Sequence, residues 1–164
     1  MPLIKNGEEA ENPWAYYSDA DVAPEEGDIV VSFARLLLED DTLKKHKGRL
    51  GVRVQGPDRV ERLAPFLDQL SLIEIEFAAF RDGRGYSSAR LLRERYHYKG
   101  ELRAIGDVLH DQLYLMARCG FDAFLTPKAG AAEYAEALAR FKTVYQPAAD
   151  GRNPVGRVRA GQAV

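Results

Sequence analysis

Apolar, β-branched runs recur along this chain, and each is followed by a stretch of helical character about ten residues long. Residues 28–33 (DIVVSF) read as a buried strand and residues 35–47 as a helix broken by charges. Residues 50–54 (LGVRV) form a short strand before a helix over 58–70, and residues 72–77 (LIEIEF) a strand before a helix over 88–96. The pattern repeats as strand 102–105, helix 108–119, strand 122–125 and helix 131–141, with a last short strand at 144–146. Strands spaced by helices of this length make βαβ units and a mainly parallel sheet. The connections are expected to be right-handed.

The fold class is therefore α/β, built from repeated βα units. Five or six units make an open doubly wound sheet, the architecture adopted here as the expectation. The alternative is a partial TIM-like barrel, since a complete eight-unit barrel takes ~250 residues and this chain has 164. Residues 28–147 are expected to form one domain. Residues 1–27, polar and acidic with three prolines, read as a loose N-terminal arm in which Trp14, Tyr16 and Tyr17 anchor either to the body or to a partner. Residues 148–164 (AADGRNPVGRVRAGQAV) read as a disordered tail.

Charge and cysteine content exclude several function classes. A formal net charge of −2 argues against a protein that holds nucleic acid mainly by basic charge. One cysteine excludes an internal disulfide framework, a CxxC redox pair, a four-cysteine iron–sulfur site and a cysteine-based zinc site. No apolar run approaches the ~20 residues of a membrane helix, and no apolar core follows the first lysine as a signal peptide requires. The expectation is a soluble, cytoplasmic domain without nucleic-acid or membrane partners.

In either architecture, ligands bind where strands run into helices, at the carboxyl ends of the strands. Two of these junctions are rich in functional groups. In Arg81-Asp82-Gly83-Arg84-Gly85-Tyr86-Ser87-Ser88, which follows Phe80, two glycines permit a tight turn and Ser87 is the expected N-cap of the next helix. Arg81, Arg84, Gly85, Ser87 and Ser88 are the candidate binding residues for a small anion: free amides and a partial positive charge at a helix start, with two forked guanidinium groups. The motif is neither a dinucleotide fingerprint nor a P-loop. The bland reading is a capped turn whose arginines pair with local carboxylates. The basic run that follows, RLLRER, reads as a solvated face or, alternatively, a docking face.

The second junction is Gly106-Asp107-Val108-Leu109-His110-Asp111. Asp107 is the expected N-cap and Gly120 the expected stop of the helix. His110, Asp111 and Asp107 are the candidate acid–base residues, set against the reading in which the same acids merely start a helix. Adjacent helix positions point in different directions, so no metal site is assigned to them. Cys119, at the end of that helix, reads as a buried apolar residue rather than a reactive thiolate.

Residues 73–124, above all the runs 82–95 and 106–124, resemble a bacterial domain-of-unknown-function family whose members carry the label of oxidoreductases in sulfite reduction. The resemblance extends more weakly over 27–147. It implies an auxiliary role in assimilatory sulfite reduction, docking to sulfite reductase or supporting electron delivery to it. It implies no catalytic residues. The label sits uneasily with a chain that has no dithiol, iron–sulfur ligand set or dinucleotide fingerprint, because electron transfer needs a carrier. No cofactor is evident; FMN, with its phosphate at the Arg81–Ser88 loop, would make the chain a small flavin- or anion-binding oxidoreductase of the same pathway.

Overall fold

The computed structural model describes residues 2–79 and 81–161, with the side chain of Asp40 excepted. Phe80, at the head of the first junction, and the last three residues of the expected tail lie outside the described residues.

Six strands run parallel in sequence order: β3 (Ala15–Tyr17), β4 (Ile29–Ser32), β5 (Leu50–Val54), β6 (Leu70–Phe77), β7 (Glu101–Gly106) and β8 (Ala123–Leu125). Two short strands, β1 (Leu3–Lys5) and β2 (Glu8–Ala10), extend the far edge antiparallel, giving the order β2-β1-β8-β7-β6-β5-β4-β3. The fold is α/β with a mainly parallel sheet. Its strand order never reverses, so it has no switch point and is not the doubly wound sheet; it is the partial barrel.

The curl follows from chain length. In a flat sheet, β2 and β3 would stand seven strand spacings apart, ~34 Å at ~4.8 Å each. Only residues 11–14 join them, a reach of at most ~18 Å from Ala10 to Ala15. The sheet must bend until its two edges approach, and that short strap crosses the open side of the half-barrel.

The helices cover the convex face. They are α1 (Phe33–Leu38), α2 (Asp40–Leu43), α3 (Arg84–Arg90), α4 (Leu113–Cys119), α5 (Ala131–Ala139) and α6 (Val155–Arg159). Residues 60–66, expected as α-helix, wind as a 3-10 helix around Pro65, which has no N–H to donate. Alternation along each strand sends Val31, Val52, Val54, Ile73, Ile75, Phe77, Leu102, Ala104 and Phe124 into the core shared with Leu36, Leu63, Leu92, Leu113 and Met116. No helix among the described residues is long and apolar enough to cross a membrane.

Both ends carry elements that the sequence pattern did not assign. Residues 1–27 supply three strands of the one sheet, because edge strands of three residues need a neighbour's ladder more than an apolar pattern of their own. Within the expected tail, α6 follows a bridge between Val144 and Pro154, and Arg118 pairs with Asp150 at 3.5 Å. Among the described residues, that bridge is what stands at the strand expected over 144–146.

Candidate functional site

Parallel strands send their carboxyl ends to one rim. Phe77 is in register with Gly106, so the two rich junctions stand side by side. The Asp107 amide donates to Phe77 O at 2.7 Å. Gly106 has φ +90°, and a Cβ there would lie 2.5 Å from that same carbonyl oxygen, so only glycine closes this corner without strain.

At the first junction the helix starts earlier than expected. Its first residue is Arg84 and its N-cap is Gly83, which leaves Ser87 inside the helix rather than capping it. Arg84 grips Asp82 through Nε at 2.9 Å and Nη2 at 2.7 Å, and its amide also donates to Asp82 at 3.2 Å. The Asp82 carboxyl is lowered to about 2, chiefly by the Arg84 side chain and then by that amide. The pair lies against the loop after β5: a Cβ on Gly56 would come within 2.4 Å of Asp82 Oδ2 and 2.6 Å of Arg84 Nη2. Gly85 is buried, with Phe77 Cζ 2.6 Å from where its Cβ would be. Its backbone thus serves packing. The Tyr86 amide is spent on Gly83 O at 3.2 Å. Arg81 is exposed, and the hydroxyls of Ser87 and Ser88 border a 370 Å³ hollow that also touches Gly56, Pro57 and Arg84. Arg84 and two of the first amides of the helix are thus committed to partners within the loop.

At the second junction Asp107 is not a cap. Its carboxylate pairs with the Lys128 ammonium from the loop after β8. The chain turns through a 3-10 segment, His110–Gln112, before α4, and the Gln112 side chain accepts from the Leu109 amide at 3.0 Å. His110 and Asp111 are exposed, on the border of a 370 Å³ groove between α4 and α5. Tyr114, Leu115, Ala137 and Phe141 form its apolar wall; Glu133 and Glu136 add acid to its rim. The Tyr114 and Phe141 rings meet at 4.8 Å, and Leu115 and Phe141 remain half exposed. Gly120 ends α4 with φ +103°, the left-handed stop its position foretold.

The arginine run after α3 is not one face. Arg90 makes an exposed pair with Glu94. Arg93 turns inward: Nε donates to Gly120 O, Nη1 to Tyr98 O and Gly100 O, and Nη2 to Asp122 Oδ2, all between 2.6 and 2.9 Å. The aromatic arm is occupied too. Arg49 lies 4.8 Å over Trp14 and Arg53 lies 3.7 Å over Tyr16.

Sequence reasoning missed the concave face. Ser32, Arg53, Glu74, Arg103, Ala123 and Lys5 share one register row across the sheet. Glu74 is buried between Arg53, at 2.9 Å, and Arg103, at 3.1 Å. Arg103 is fully buried, and its Nη1 also donates to Asn12 of the strap at 3.0 Å. Its Nε donates to Glu101 at 2.8 Å; Nη2 lies 2.6 Å from the same oxygen, at an angle that makes no hydrogen bond. Buried Val30 and Leu72 lie on one side of this charged row and Leu3 and Ile105 on the other, the layering of a barrel interior. The one available signal was the glutamate alternation in LIEIEF, which equally marks a solvated face.

A singly wound parallel half-barrel with a polar interior and its loops gathered on one rim defines the class of this protein. A family model described as a bacterial protein of unknown function (DUF934) matches residues 51–156, about two thirds of the chain, and the chain belongs to that family. The matched span runs from β5 through the two rich junctions to α6. No curated protein matches the chain.

Proposed function

We propose that this protein is an accessory of assimilatory sulfite reduction that docks on sulfite reductase and supports electron delivery to it. The observation that carries this reading joins sequence to surface. The run 106–124, one of the two that bear the resemblance to proteins labelled for sulfite reduction, contributes Tyr114 and Leu115 to the open α4–α5 groove. Half-exposed Leu115 and Phe141 beside aromatic Tyr114 form the kind of apolar centre, rimmed by charge, that anchors protein partners. The Trp14–Tyr17 segment is the weaker docking candidate, because its rings are engaged by Arg49 and Arg53. Cys119, the sole thiol, is buried, which favours support over thiol-borne electron transfer.

Capture of purified sulfite reductase by the immobilised chain tests the reading. The native chain retains the reductase, Leu115→Asp weakens capture by at least tenfold, and a deletion strain grows on sulfide but poorly on sulfite. Normal growth of that strain on sulfite removes the pathway assignment.

A second reading, a small flavin- or anion-binding oxidoreductase, draws on the hollow beside Arg84, Ser87 and Ser88. Asp82 would have to release Arg84 for a phosphate to bind there. A flavin absorption band in gently purified protein, or sulfite turnover by the chain alone, favours this second reading over the first.

A further inference from the structure

We propose that the mouth of the half-barrel, over the carboxyl ends of β3, β4 and β5, binds a small carboxylate bearing a hydroxyl or ammonium group on the adjacent carbon. Arg53 takes the carboxylate and Asp19 takes the donor. This inference does not rest on the sulfite reading, and it concerns residues outside both sequence-predicted junctions.

A cavity of 210 Å³ opens here, lined by Tyr16, Ser18, Asp19, Ser32, Arg53 and Asp58 among others. It is smaller than the ~300 Å³ at which drug-sized sites begin, so its occupant has few heavy atoms. Nucleotides and flavins are too large.

Arg53 is held as a binding arginine needs to be. Its Nε and Nη2 contact Glu74 Oε2 at 2.9 Å, and its guanidinium lies 3.7 Å over the Tyr16 ring. One edge and one face are thus fixed. A guanidinium carries five N–H donors, so Nη1 and the outer hydrogen of Nη2 stay in hand for a planar, forked partner. On this face Lys5, Arg53 and Arg103 are balanced by Glu74, Glu76 and Glu101, so the free N–H groups of Arg53 rather than a net charge draw the carboxylate.

The acids at the mouth narrow the choice. Ser32 Oγ accepts from the Arg35 amide at 3.0 Å, which leaves its hydrogen for Asp19 Oδ1. Asp19 Oδ2 remains as an acceptor. Asp58 Oδ2 is occupied by the Gln55 amide at 2.8 Å, and Gln55 Nε2 in turn donates to Glu76 at 2.9 Å. A dianion would meet the carboxylates of Asp19 and Asp58 and only the one guanidinium of Arg53. A monoanion that also donates a hydrogen bond satisfies Arg53 and Asp19 together.

Amide chemical-shift titration of the full ¹⁵N-labelled chain tests the site. Glycolate and glycine carry the carboxylate and the donor, and comparing them tells hydroxyl from ammonium; acetate lacks the donor. At least one of the first two should shift the Ser18, Ser32 and Gln55 amides saturably, with acetate about tenfold weaker. Arg53→Gln should weaken binding by ~ten- to a hundredfold, the loss of a charge-assisted contact. Asp19→Asn, at an exposed position that does not threaten folding, should bring the better ligand down to the level of acetate and leave acetate unchanged. No shift at these amides with ~50 mM of either ligand overturns the proposal. So does native-like binding by Asp19→Asn, whether or not Arg53→Gln folds.

Discussion

Arg103 Nη1 lies 3.1 Å from Glu74 Oε1 inside the half-barrel, and neither side chain is more than 3% exposed. Their strands place them directly opposite each other, β6 to β7. Removing one member leaves the other's buried charge with one ion-pair partner fewer, Arg53 alone for Glu74 and Glu101 alone for Arg103, at a cost of up to ~3–5 kcal/mol. Arg103→Met and Glu74→Leu should each lose that much in urea unfolding. The double variant should lose less than the two together by ~1 kcal/mol or more, the mark of direct coupling. Additive losses would show that the pair is held by Arg53, Glu101 and Asn12 rather than by each other.

Asp82 gives a pH-dependent signal. Its carboxyl is lowered to about 2 from an ordinary value of 3.8, first by the Arg84 side chain and then by the Arg84 amide. A depressed folded-state value means that its contribution to stability is present above pH 3.8 and is lost as the pH falls through about 2. Carboxyl-carbon NMR should show Asp82 titrating near 2 in the native chain and back toward 3.8 in Arg84→Ala. Gly56→Ala, which drives a methyl between the two side chains, should raise it as well. An unchanged titration in Arg84→Ala would free Arg84 for the anion role the sequence suggested.

How much of this was legible in the sequence varies with the physics of each part. The strands β4 to β8 were readable because their apolar residues face a helix layer and obey period two. The rim followed from parallel pairing, and Gly120 from the turn it makes. The order of strands left no trace, because a doubly wound sheet and a half-barrel need the same local βα units. β1, β2 and β3 were invisible for a different reason: three residues carry too little periodicity, and their order comes from partners distant in sequence. Glu74 and Arg103 were hidden because alternating charge on a strand signals water on that face, whereas curling makes this face an interior. His110 and Asp111 were read together with Asp107; the structure puts the first two on the border of the α4–α5 groove and pairs Asp107 with Lys128.

The arginines after α3 separate by the same logic. Arg93 satisfies three backbone carbonyls and Asp122 from a half-buried position, while Arg90 meets only Glu94 in water. The Asp122 carboxyl is pushed up, mainly by burial and against the pull of the Leu102 amide and Arg93. Arg93→Ala should therefore cost ~3 kcal/mol or more, since each orphaned buried acceptor costs ~1–3 kcal/mol. Arg90→Ala should stay within ~0.5 kcal/mol. Thermal melts of the two variants side by side decide the matter, and equal losses would return both residues to one surface.

Cys119 bears on whether electrons pass through the polypeptide. It lies in the last turn of α4 with its side chain buried, and burial is the first cause that pushes its thiol up. The partial negative charge at a helix end acts in the same direction. A thiol that stays protonated and covered is a poor nucleophile and a poor redox partner. Labelling with a disulfide reagent at pH 8 should therefore be slow in the folded chain and fast in urea, its rate rising with denaturant as the unfolded fraction does. Cys119→Ala should leave reductase capture intact. Rapid labelling of the folded chain, or a Cys119→Ala variant that fails to restore growth of the deletion strain on sulfite, would make the thiol a participant and displace the accessory reading.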